Sequence, residues 1–249
     1  PTRAVLIHSA LSLGGHWRRV LDHLPTWEAL SVELPGHGAV PPPDPDRDIG
    51  DEATLRADAA LGSGADVLVG HSFGAVVALR LALERPEAVG RLVLIEPVLF
   101  AAIAGTPDGA AEAEDALIRD ALLAAGDRAA AVRHFTGRWG AGPPFDALPE
   151  PARSYLTDRI GLIQRSDPFL VQDRSGLLAP GRLEALDRPV TLIEGTGSPP
   201  PIARVMDVLE GRLPRVVRRR IEGAGHMVPI THPEPCARAV ACEGGSGPA

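Results

Sequence analysis

The run Val67-Leu68-Val69-Gly70-His71-Ser72-Phe73-Gly74-Ala75-Val76-Val77 decides how this chain is read. Its opening is short, apolar and branched, which suits a strand buried on both faces. From Phe73 onward the apolar residues continue in a helical pattern as far as Glu84. Ser72 therefore stands on a sharp strand-to-helix turn, inside the pentapeptide Gly70-His71-Ser72-Phe73-Gly74. Such a turn demands unusual backbone angles, and small flanking residues let it approach its neighbours. It lifts the hydroxyl clear of the sheet and aims N–H groups of the helix N-terminus at any oxyanion formed beside it. A serine that merely capped a helix would need none of this setting. Ser72 is the candidate nucleophile.

Outward from that turn the same alternation repeats. Short apolar runs at 4–7, 29–34, 66–69, 91–95, 189–193 and 215–221 read as strands, and helical patterns at 17–24, 51–61, 73–84 and 202–209 fall between them. Strands alternating with helices predict βαβ units and a mostly parallel sheet covered by helices on both faces. The alternation breaks once, over residues 97–188, where helical stretches at 111–125, 128–139 and 151–164 follow one another. The expected division is a core of 1–96 and 189–243, a helical cap of 97–188 and a disordered tail of 244–249.

Composition narrows the function. The 249 residues carry a formal charge of −7, which argues against a general binder of nucleic acid or anionic membranes. The triplet Arg218-Arg219-Arg220 reads as solvated strand surface. All 25 basic residues are arginine, so a catalytic lysine, a Schiff base and a Walker A lysine are excluded. Cys236 and Cys242 make no disulfide framework, and no metal-ligand spacing occurs, so no metal and no cofactor are expected. No apolar stretch approaches the ~20 residues of a membrane span, and a cytoplasmic protein is the expectation.

With these motifs in hand, nearly the whole chain resembles the α/β-hydrolase superfamily, in its serine-nucleophile branch with a helical cap. Val5-Leu6-Ile7-His8 is similar to the strand leading to the oxyanion loop, and Glu33-Leu34-Pro35-Gly36-His37-Gly38 to the family's Asp-Leu-Pro-Gly-His-Gly turn. Gly223-Ala224-Gly225-His226 resembles the loop that carries the catalytic histidine. The resemblance implies an oxyanion hole from the backbone N–H groups of Phe73 and Ala10. Ser9 departs from the pattern, standing where members usually carry glycine.

A serine hydroxyl needs a base, and His226 lies in a glycine-rich loop after the last strand, in the chain order Ser, acid, His. His8, His37 and His71 are expected to bridge loops. The acid is the open member. The family most often carries it after the strand at 189–193, where this chain has Ser198. Glu96 ends the strand beside the nucleophile strand, as in haloalkane dehalogenases and certain lipases, and a buried glutamate there needs a partner such as histidine. Glu96 is assigned, with Glu194, or no functional acid at all, as the alternatives.

The resulting expectation is a serine hydrolase that cleaves a small carboxylic ester, lactone or thioester through an acyl-enzyme on Ser72. Its partner is a small-molecule substrate, and no oligomeric state is fixed by these motifs. The alternatives are a C–C bond hydrolase, an acyltransferase, a cofactor-free dioxygenase or a non-catalytic ligand-binding member. Phe100, His134, Trp139 and Tyr155 are the expected pocket residues, with Phe135 and Phe169 as further aromatic candidates.

Overall fold

Side chains of a strand alternate between its two faces, so a strand buried on both sides must satisfy two separate layers. In β1 (Thr2–Ile7) Val5 and Ile7 join one apolar cluster, and Ala4 and Leu6 join another. The same division runs through β3 (Ala65–His71), β4 (Val89–Ile95) and β5 (Val190–Gly195), which are the buried centre of the sheet. The computed structural model describes residues 1–242. With β2 (Trp27–Val32) and β6 (Val216–Ile221) at the edges, the six strands pair in parallel in the order β2-β1-β3-β4-β5-β6.

The helices follow in chain order. They are α1 (Arg18–Leu21), α2 (Ile49–Leu61) and α3 (Phe73–Glu84), then α4 (Pro107–Ala124), α5 (Arg128–Trp139), α6 (Glu150–Arg159), α7 (Gly161–Arg165) and α8 (Asp167–Leu170). After β5 come α9 (Pro200–Arg212), α10 (Val228–Thr231) and α11 (Pro233–Ala241). Helices α2, α3 and α9 cover one face, while α1, α10 and α11 cover the other. The sheet is doubly wound, as the alternation predicts.

Helices α4 to α8 are all inserted between β4 and β5. Thr106 caps α4 and Asp127 caps α5, each side chain accepting a backbone N–H of the first turn. Ala131, Val132, Phe145, Ile160 and Ile163 give the insertion a small core that also takes in Leu11. The insertion thus packs on the loop that follows β1.

Several sequence expectations change. The helix expected at 17–24 is a short 3-10 turn, Gly14–Trp17, followed by the single turn α1. The pattern at 151–164 breaks at Ile160 into α6 and α7. Helix α11 was hidden by its two prolines, which sit in its first turn where a missing N–H costs nothing. Arg218 is not solvated: it folds onto Glu194 at 2.7 Å across the β5–β6 pair, with Asp207 and Glu210 also in reach. Cys236 is buried and Cys242 exposed, both as free thiols. The tail expected to be disordered lies outside the described residues.

Candidate active site

Parallel register brings the chemistry to one edge. His71 of β3 lies opposite Ile95 of β4, so the residues that follow, Ser72 and Glu96, leave the sheet side by side. Ser72 has φ +56° and ψ −120°, a conformation that a non-glycine residue rarely holds without a local reason. Its neighbours explain how the turn closes. A Cβ on Gly70 would lie 2.2 Å from the Gly74 carbonyl oxygen, and one on Gly74 would lie 2.4 Å from that of Ile7. Only glycine fits at either place.

An imidazole arrives from the far end of the chain. His226 Nε2 accepts the Ser72 hydroxyl at 2.9 Å, and its Nδ1 donates to Glu96 Oε2 at 3.0 Å. Glu96 also holds a positive φ, +52°, and its Oε1 accepts the Gly195 N–H at 2.7 Å and the Ser198 hydroxyl at 2.8 Å. Serine, imidazole and carboxylate therefore form one continuous hydrogen-bonded array. Beside it the N–H groups of Phe73 and Ala10 are left without a protein acceptor among the described residues. His37 Nε2 accepts the Leu11 N–H at 2.9 Å and steadies the loop that carries Ala10.

Most of the chain is similar to known proteins. Residues 4–239 match the alpha/beta hydrolase family. This chain belongs to that family. It is 32% identical to the lipase LipV of Mycobacterium tuberculosis, over 96% of this chain and 92% of that one. It is also 32% identical to a pimeloyl-[acyl-carrier protein] methyl ester esterase of Aromatoleum aromaticum, over 89% of each chain. Among solved structures, a hydrolase from Pseudomonas aeruginosa superposes with a TM-score of 0.72 at 23% identity, over 96% of this chain and 88% of that one.

In this α/β hydrolase, burial governs the charges of the array. It drives the His226 imidazole down to about 3 and the Glu96 carboxyl up to about 8. Both shifts express one fact, that this enclosed pair resists charge. The form with Nε2 free to accept carries a single negative charge, on Glu96, and the Gly195 and Ser198 donors favour it. An added proton neutralises the pair, and with the carboxyl protonated the ring proton moves to Nε2 and the acceptor is lost. The two groups titrate together.

Further imidazoles pack behind His226. His71 Nε2 donates to the His226 carbonyl at 2.9 Å, His16 Nε2 donates to His71 Nδ1 at 3.1 Å, and the Ser12 hydroxyl donates to His16 Nδ1 at 2.9 Å. That pattern needs every ring neutral, and burial holds both His16 and His71 well below the ordinary imidazole value. His8 bridges as well, accepting the Leu34 N–H at 3.2 Å.

A cavity of about 610 Å³ opens on Ser72 and His226, within the range of small-molecule sites. Its wall combines the apolar Ala10, Val98, Phe100, Phe135, Trp139 and Leu170 with the polar Glu112, Asp115, Arg119 and His134. Trp139 packs T-shaped against the His226 ring with centroids 4.8 Å apart. Of the expected pocket residues, Phe100, His134 and Trp139 line this cavity. Tyr155 does not: its hydroxyl donates to the Ser12 carbonyl at 2.9 Å and its ring lies under Arg159. Phe169 is buried beneath α3, with its ring 5.7 Å from that of Phe73. Glu194, the alternative acid, is spent on Arg218 and Arg220.

Sequence reasoning missed three contributors. In the sequence Ser198 shows only as a place without a carboxylate. His16 and the Ser12 hydroxyl, which complete the imidazole chain, carry no motif at all. Among the described residues no group of His, Cys, Asp and Glu is arranged to hold a metal, and no helix is long and apolar enough to cross a membrane.

Proposed function

We propose that this protein is a serine ester hydrolase that turns over a small carboxylic ester with an apolar acyl or alcohol part, through an acyl-enzyme on Ser72. The observation that carries the reading is the array Ser72–His226–Glu96, with contacts of 2.9 and 3.0 Å. The lipase and methyl ester esterase named above, each 32% identical, support ester cleavage.

The chemistry follows from the contacts. His226 Nε2 takes the Ser72 proton as Oγ attacks the ester carbonyl carbon. Negative charge gathers on the carbonyl oxygen, beside the free N–H groups of Phe73 and Ala10. Glu96, holding Nδ1–H, fixes the tautomer and stabilises the imidazolium. The imidazolium then gives its proton to the departing alkoxide. Water, deprotonated by the same nitrogen, attacks the acyl carbon; as the Ser72–acyl bond breaks the imidazolium returns that proton to Oγ, freeing Ser72 and a carboxylic acid. The helical insertion, residues 97–188, acts as a cap that sorts substrates, since it supplies most of the cavity wall.

The test is covalent. A fluorophosphonate probe should add one label per chain, mapped by mass spectrometry to Ser72, and p-nitrophenyl acetate should be hydrolysed. Ser72→Ala should lose both. Equal labelling of that variant at another serine, or unchanged turnover, refutes the reading. Turnover of a ring-cleavage diketone in preference to esters would place the chemistry on C–C bonds instead.

A further inference from the structure

We propose that Ser198 is a positioning residue for this reaction: its hydroxyl holds the Glu96 carboxylate by Oε1, so that Oε2 is turned to His226 and available as an acceptor. The inference rests on the esterase reading given above. Ser198 follows β5, whereas Glu96 ends β4, and their contact joins residues 102 apart at 2.8 Å. Apart from His226, Ser198 is the one side chain that hydrogen-bonds Glu96 among the described residues.

The Ser198 loop is built to hold that hydroxyl still. The Gly197 N–H is bonded to the Ala224 carbonyl at 2.8 Å, the Thr196 N–H to that of Ile221 at 3.1 Å, and the Gly223 N–H to Thr196 Oγ1 at 2.9 Å. A Cβ on Gly195 would lie 2.2 Å from the Ala224 carbonyl oxygen, so the two loops meet backbone to backbone. The loop that carries Ser198 is thus braced against the loop that carries His226.

The Gly195 N–H and the Ser198 hydroxyl both donate to Oε1, and both favour the ionised form of a carboxyl that burial would otherwise protonate. The charged groups around it are few. His226 faces Oε2, with His71 behind that ring, and Glu194 on β5 disfavours the anion although it is paired with Arg218 and Arg220. Removing the Ser198 hydroxyl leaves Oε1 one donor. The extra proton then binds more readily, the His226 ring proton moves to Nε2, and the Ser72 proton has no acceptor.

The experiment is the pH profile of kcat/KM for p-nitrophenyl acetate with Ser198→Ala and Ser198→Thr, each checked for folding by circular dichroism. Loss of one hydrogen bond to a charged group moves the acid limb of the alanine variant upward by about 1 to 2 pH units. Activity is therefore ~10- to 100-fold low on the acid side and recovers in alkali, while threonine keeps the hydroxyl and follows the wild type. KM should change little, because Ser198 does not line the cavity. A loss of equal size at every pH, or no loss, overturns the proposal. The same midpoint is readable without substrate, from the pH dependence of the His226 Nδ1 proton resonance. A wild-type protein that hydrolyses no ester, yet shows this upward shift in Ser198→Ala, would refute the esterase reading and leave the role of Ser198 standing. An unshifted resonance in a protein that does hydrolyse esters would do the reverse.

Discussion

Replacing Glu96 by glutamine tests the assignment of the acid most directly, because the surrounding donors dictate how an amide must sit. Oε1 of Glu96 faces the Gly195 N–H and the Ser198 hydroxyl, and Oε2 faces His226 Nδ1. In Glu96→Gln the amide oxygen is drawn to the Oε1 site, and the amide NH₂ then points at Nδ1. His226 must answer as an acceptor there, which puts its proton on Nε2, opposite Ser72. The reverse orientation restores the productive tautomer but turns NH₂ against the Gly195 N–H. The Ser198 hydroxyl can rotate to accept, whereas a backbone N–H cannot, so one buried donor is orphaned at about 1–3 kcal/mol. Loss of the charge opposite the imidazolium adds about 1–1.5 kcal/mol, the difference between charged and neutral hydrogen bonds. The sum, about 2–4.5 kcal/mol, predicts a fall in kcat of roughly 30- to 2,000-fold. The corresponding aspartate-to-asparagine change in serine proteases, at about 10⁴-fold, sets the ceiling. The assay is steady-state hydrolysis of p-nitrophenyl acetate, with a thermal melt to show that the fold survives. Glu194→Gln is the control, since Glu194 serves Arg218 and Arg220 and should cost stability with little change in kcat. A Glu96→Gln enzyme within fivefold of wild type, or a dead Glu194→Gln enzyme, would refute the argument.

Four further outcomes are expected. The acid limb of kcat/KM for the wild type should lie above 6.5 and toward 8, because burial favours the protonated, neutral form of the Glu96–His226 pair; the imidazole alone predicts 6–7, and a limb well below 6.5 contradicts the account. His16, His37 and His71 are all held below the ordinary imidazole value by burial, His37 at about 4. The unfolded chain then binds more protons below pH 6.5, so their contribution is complete above that value and lost as pH falls toward 4; a Tm constant from pH 7.5 to 5 would disprove it. Gly74→Ala should push the elbow off β1, costing about 1–3 kcal/mol and roughly 2–12 °C in Tm, and should abolish probe labelling of Ser72. Trp139→Ala should shift the preferred p-nitrophenyl ester toward longer acyl chains by enlarging the apolar part of the cavity, and an unchanged chain-length profile argues for a purely structural tryptophan.

The alternation of apolar runs and helical patterns is a local signal, and it was enough to determine a parallel, doubly wound sheet and the place of its insertion. The elbow is local too: glycines two residues either side of Ser72 are required by contacts of 2.2 and 2.4 Å that any Cβ would make. The glycine-rich loop after the last strand singles out His226, and the fold brings its Nε2 to 2.9 Å from the Ser72 hydroxyl. Which carboxylate meets His226 was a different matter. Glu96 and Glu194 sit near the ends of adjacent strands, and nothing in their neighbouring residues separates them. Register decides it, setting Glu194 across from Arg220 and within reach of Arg218, while a positive φ turns Glu96 toward His226. Ser198, Tyr155 and the His16–His71 contact were equally invisible, for their partners lie 102, 143 and 55 residues away along the chain. Short-range periodicity is written into the sequence residue by residue, but a hydrogen bond between distant side chains exists only once the strand ends have been brought to the same edge.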